Sequence, residues 1–94
     1  MTEIGVLDMI IQCKLGLGIQ ISETAFDGVL KQKITAVISF LRGAGVTDAI
    51  IASDDAVGVI VMGVGDIWNQ APGEVVFSPA FYAIAAQLRI GGAV

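Results

Sequence analysis

Apolar residues recur along this chain at two spacings, and the spacings predict most of its elements. From Ile4 to Leu15 they fall three and four apart: Ile4, Leu7, Ile11 and Leu15 share one helical stripe, widened by Val6, Met9 and Ile10. Gly16 and Gly18 then break the pattern. Leu17, Ile19 and Ile21 alternate with small or polar residues, which predicts an extended stretch. A second, longer helix is predicted over roughly Thr24 to Arg42, its start marked by Ser22 or Thr24 and by a capping box of Thr24 with Asp27. Phe26, Leu30, Ile34, Val37 and Leu41 form its buried stripe, flanked by Val29 and Ile38. Lys31, Gln32, Lys33, Thr35, Ser39 and Arg42 form its polar side. Gly43 and Gly45 end it, with Arg42 at the negative pole of the helix dipole.

The second half of the chain is more apolar. Thr47 caps a short turn of helix reaching Ala52, and Ser53 caps the next segment, with Asp54 and Asp55 in its first turn. Ala56 to Trp68 carries Val57, Val59, Val61 and Val64 with Gly58, Gly63 and Gly65, a set that scores poorly for helix and suits a buried strand. Its length and its acidic, capped start favour a helix, and an almost wholly apolar surface makes it the central one. Asn69 to Gly73 is loop chemistry. Glu74 to Phe77 is β-prone and predicted to be extended. Ser78-Pro79 then starts a last helix with Phe81, Ile84, Ala85 and Leu88 inward and Gly91-Gly92 as its stop. The expectation is a single all-α domain over residues 1–94: a small bundle of four to five short helices with one extended loop before the last helix.

Composition narrows the function. The chain is 55% hydrophobic, with His absent and a single Cys. So much apolar surface with so little reactive chemistry points to an interface, and to an assembly subunit rather than an enzyme. Nucleophilic catalysis lacks its usual base, a Ser–Lys pair has no supporting motif, and no catalytic residue is assigned. Asp54 and Asp55, as neighbours on a helix, point about 100° apart and do not converge on one atom. One Cys without His gives no zinc set, and Asp48, Asp54 and Asp55 match no known cation loop; neither a metal nor a cofactor is expected. Gly63-Val-Gly65 lacks the Lys-Ser/Thr of a phosphate loop and the third Gly of a dinucleotide fingerprint, so it marks close helix approach or a kink. Cys13, in an apolar run, is read as a small buried hydrophobe. It cannot form an intramolecular disulfide, which fits a reducing, intracellular site of folding.

Net charge is −4, from nine acidic and five basic residues, so the basic footprint of autonomous nucleic-acid binding is absent. Lys31, Lys33 and Arg42 read as a solvated helix face. The charge-free run Ala56 to Gly65 is too short to span a bilayer, and Met-Thr-Glu does not start like a signal peptide. The best interaction candidates are Glu74, Val75, Val76 and Phe77, an extended apolar segment beside Pro72-Gly73 that is suited to strand addition on a neighbour. Val75 and Phe77 face one way and Val76 the other; the alternative is that Val75 and Phe77 enter their own core. Trp68 is either a core plug or an interface anchor.

The layout resembles the small head–tail connector (head-completion or adaptor) proteins of long-tailed bacteriophages and prophages. The resemblance rests on Cys13-Lys-Leu-Gly-Leu-Gly-Ile19, Ser22-Glu-Thr-Ala-Phe-Asp27, Gly43-Ala-Gly-Val46, the apolar segment from Ala56 to Asn69, and Gly73-Glu-Val-Val-Phe-Ser-Pro-Ala-Phe81 leading into Ala86-Gln-Leu-Arg89. It implies a structural subunit made in the host cytoplasm and placed at the virion neck. Its copies would form a homo-oligomeric ring beneath the portal protein and offer a docking surface to tail or stopper proteins. DNA would pass through the ring without sequence-specific binding, and no membrane is involved. This chain is poorer in charge and richer in Gly and Val than many such proteins. Another small helical tail-completion or scaffold protein is the alternative.

Overall fold

Helices α1 (Glu3–Leu17), α2 (Asp27–Gly43), α3 (Asp48–Ile51), α4 (Val57–Ile67) and α5 (Pro79–Gly92) make up the fold, with a 3-10 turn, Asp54–Ala56, leading into α4. The structure is a computed structural model that describes residues 3–71 and 73–92, and the side-chain surroundings of 8–71 and 73–90. No strand occurs among the described residues. The fold is a small all-α bundle.

The α4 segment resolves in favour of the helix. Its β-branched residues and glycines lower its intrinsic propensity, but tertiary burial overrides that preference. Val59, Ile60, Val64 and Ile67 are buried, and α1, α2 and α5 all pack on this helix. Two glycines permit that packing. A Cβ at Gly63 would lie 2.7 Å from Phe81 Cε2 and 3.0 Å from both Val37 methyls; one at Gly16 would lie 2.5 Å from Val61 Cγ1. Gly16 is therefore a contact point inside α1 rather than its end.

The ends of α1 and α2 share one device. Gly18 and Gly45 adopt φ of +75° and +95°, a region other residues avoid. After α1, the N–H groups of Gly18 and Ile19 donate to the carbonyls of Leu15 and Lys14; after α2, those of Gly45 and Val46 donate to Arg42 and Leu41. Each pair is a Schellman closure, and in α2 it brings buried Val46 beside buried Leu41.

The structure corrects four sequence expectations. First, α1 is rotated. Met9, Ile10, Cys13 and Lys14 face the core, whereas Ile11 and Leu15 of the expected stripe are exposed, Leu15 by 58%. Ile4 and Leu7 lie outside the described side chains. Apolar residues occur all round α1, with only Asp8 and Gln12 marking its exposed side, so the stripe of apolar residues alone does not fix the phase; the Gly16–Val61 approach and a partner for Lys14 do. Second, α2 starts at Asp27, and the Thr24–Asp27 capping box does not form, because Asp27 turns to Lys14. Phe26 is the N-cap, without a side-chain cap bond, and is 44% exposed rather than buried. Third, the 17–21 stretch is the end of α1 and a turn, not an extended segment. Fourth, Gly91 and Gly92 are themselves helical rather than the residues before which α5 stops: two glycines in a last turn weaken a helix by about 1 kcal/mol each, and α5 includes both, with Gly92 its last residue.

The smaller signals divide. Thr47 Oγ1 accepts from Ile50 N–H and caps α3 as expected. The Ser53 hydroxyl does not cap the next turn but donates back to the Ile50 carbonyl at 2.6 Å. Leu30, Ile34, Val37, Ile38 and Leu41 are buried as the α2 pattern requires, while Val29 is exposed.

Candidate functional site

The described residues between Trp68 and Ser78 form neither helix nor strand, yet polar side chains hold the segment at both ends. Gln70 lies just past α4. Its Oε1 accepts from Val76 N–H at 2.7 Å, and its Nε2 donates to Val76 O at 2.8 Å and to Asp66 O at 2.7 Å. Lys33, on α2, donates from Nζ to the Gln70 carbonyl at 3.0 Å. At the far end, Asp66 Oδ2 accepts from Ser78 N–H at 3.0 Å and from Ser78 Oγ at 2.7 Å. The Ser78 hydroxyl in turn accepts from Phe81 N–H at 3.2 Å, the N-cap bond that Ser78-Pro79 predicts. An α4 carboxylate thus fixes the start of α5, and an amide fixes the middle of the loop.

This bracing alters the expected use of the loop. A free backbone edge around Val76 is what strand addition needs. Both polar backbone groups of Val76 are already bonded to Gln70, so that edge is closed at Val76. The side chains remain. Val76 is 64% exposed and Glu74 is exposed. Val75 lies partly over a groove formed with Gln32, Lys33, Ala36 and Ile67.

Phe77 is 5% exposed and belongs to the core, stacked on Phe81 with ring centroids 4.1 Å apart. Phe40 packs against both rings. Trp68 is half-buried against the core, with Phe26 edge-on at 5.9 Å. Of the candidate residues, Glu74, Val75 and Val76 therefore reach the surface together, Phe77 anchors them from beneath, and Trp68 sits apart at the end of α4.

A second polar contact lies inside the bundle. Lys14 is only 3% exposed. Its ammonium stands 2.8 Å from Asp27 Oδ1 and donates to the Ile21 carbonyl at 3.1 Å. The contact ties the end of α1, the 18–26 turn and the start of α2 into one unit. Beside it, Cys13 is fully buried, and burial pushes its thiol up to about 11 from an ordinary 9.0. The thiolate is disfavoured, which agrees with Cys13 as a small core residue. Among the described residues no group of three or more His, Cys, Asp or Glu is placed to hold a metal ion, and no helix is long and apolar enough to cross a membrane.

Sequence reasoning missed Asp66, Gln70 and Lys14. The lone cation of a largely apolar helix, with an aspartate opening the next one, was the available signal for the Lys14–Asp27 pair. Gln70 offered none, because its contacts depend on the path of the loop.

No protein-family model, curated protein or solved structure matches the chain.

Proposed function

We propose that this chain is a structural assembly subunit of the head–tail connector type. The observation that carries the reading is a short loop, braced by Asp66, Gln70 and Lys33, that holds the apolar side chains of Val75 and Val76 at the surface. A loop that costs polar contacts to shape and then exposes valine is suited to docking, because its ordering entropy is already spent before a partner arrives. Exposed Ile11, Leu15, Ile21, Val29 and Ile90 add further apolar surface to a domain of 94 residues.

In this reading copies of the chain form a ring under the portal protein, and tail or stopper proteins dock on that ring. DNA passes through without being read, in keeping with the net charge of −4. The protein is made in the bacterial cytoplasm and ends at the virion neck. Removing the gene from particle-producing cells tests this. DNA-filled heads without tails should accumulate, and supplying the chain in trans should restore tailed particles. Normal tailed particles in its absence would contradict it.

A further inference from the structure

Between the end of α2 and the middle of α5 lies a shallow groove of about 170 Å³, lined by Phe40, Ala44, Tyr82, Ala85, Ala86 and Arg89. Its floor is apolar and aromatic. Arg89 is the one charged residue in the lining, and no carboxylate accompanies it. The Arg89 stem runs close over Gly45, so the guanidinium is carried on a packed arm.

We infer that this groove receives the Glu74–Val76 loop of a second copy of the chain. Charge and shape both select that occupant. Glu74 and Val76 are both exposed on the braced loop, while Val75, itself 40% exposed, lies partly over its own molecule's groove beside Ile67. They offer a carboxylate and a small branched apolar group within three residues, the chemistry that a groove with a guanidinium and an apolar floor would take. Val76 is too exposed to fill the groove of its own chain, although Phe77 beside it packs near Tyr82. Gln70 holds the loop in shape, so docking orders little that is free.

Where each groove takes the loop of a different neighbour, the contact is head-to-tail; two copies that exchange loops make a closed dimer instead. In the head-to-tail arrangement each added copy leaves one loop and one groove open, and a suitable rotation closes the ring that the assembly reading calls for. The inference rests on the assembly reading above and specifies the joint between subunits.

Sedimentation of the full chain from micromolar to millimolar concentration tests it. The wild type should self-associate. Glu74→Arg and Arg89→Glu should each weaken association by about tenfold or more, and both together in one chain should restore it. Val76→Asp and Ala86→Trp, at exposed positions, should each block association while leaving the melting temperature unchanged. An equimolar mixture of these two retains one intact joint and should stop at a heterodimer. The inference is overturned by a wild type that stays monomeric throughout, by folded single variants that associate normally, or by a charge-reversed pair no better than either single change. Tailless particles after gene removal, with normal association of the variants, would leave the connector reading standing and remove only this joint. Loss of association in the variants, with tails still forming without the gene, would do the reverse.

Discussion

The side-chain amide of Gln70 holds both backbone polar groups of Val76, accepting its N–H at 2.7 Å and donating to its carbonyl at 2.8 Å. One side chain thus gives the loop what a paired strand would give it, while the valine side chain stays in water. Replacing Gln70 with Ala should release the loop. Stability should fall by about 1 kcal/mol, the net worth of such bonds at a partly exposed site. The Val76 amide should then exchange much faster with solvent. Unchanged exchange at Val76 would show that the amide does not hold it.

The glycines of α4 separate packing from propensity. Gly63→Ala should destabilise the domain, because its Cβ would meet Phe81 and Val37 at 2.7 and 3.0 Å. Gly65→Ala, exposed and with nothing within 4 Å, should stabilise it by about 0.5–1 kcal/mol. Chemical denaturation of the two variants checks this. Equal effects would mean that α4 does not pack on α2 and α5 as described.

Buried and exposed positions on α2 should differ as sharply. Leu30→Asp or Ile34→Asp puts an unpaired carboxylate in the core, at a cost on the order of the whole stability of a small domain, and should unfold it. Lys31→Ala, on the exposed face, should change stability by under ~0.5 kcal/mol. Similar melting temperatures for the two classes would refute the assigned face.

The Lys14–Asp27 pair gives an asymmetric expectation. Asp27→Ala leaves a buried ammonium with only the Ile21 carbonyl and should cost on the order of 2 kcal/mol, moderated by the partial exposure of Asp27. Lys14→Met removes the charge, keeps the length, and should cost less. Denaturant midpoints decide the order, and a larger loss in Lys14→Met would contradict it.

Cys13 supplies a pH test. Its folded thiol is raised to about 11 from 9.0 by burial. The folded state holds the proton more tightly than the unfolded one, so this contribution to stability is constant below pH 9 and declines as pH rises from 9 towards 11. Cys13→Ala should lower overall stability by opening a cavity but remove that decline. Near neutral pH the native thiol should resist alkylation until the chain unfolds. Rapid labelling of the folded protein would overturn the burial.

What was legible in the sequence follows from physical contrast. The α2 core face stood out because charged residues occupy its other side, so Leu30, Ile34, Val37 and Leu41 have one consistent direction. Ser78-Pro79 marked the start of α5 because a capping hydroxyl and a fixed φ act locally. The phase of α1 was poorly legible: apolar residues run almost all round it, the exposed Asp8 and Gln12 being the one local clue, and the buried face was settled by Gly16 against Val61 and by Lys14 finding Asp27, both contacts between elements. Alternation anticipated Val76 exposed beside buried Phe77, but not Val75, which is 40% exposed instead of sharing the Phe77 side, and not the closed backbone edge. That edge depends on Gln70 reaching six residues along a loop whose path no periodicity describes.

The most direct test of the assembly account is complementation with a folded loop variant. Cells producing particles, with the native gene removed, would receive the chain carrying Glu74→Lys and Val76→Lys. Both side chains are exposed, so the purified variant should melt like the wild type. The account predicts that it fails to enter particles and that DNA-filled heads accumulate without tails. Normal infectious particles containing the folded variant would contradict it.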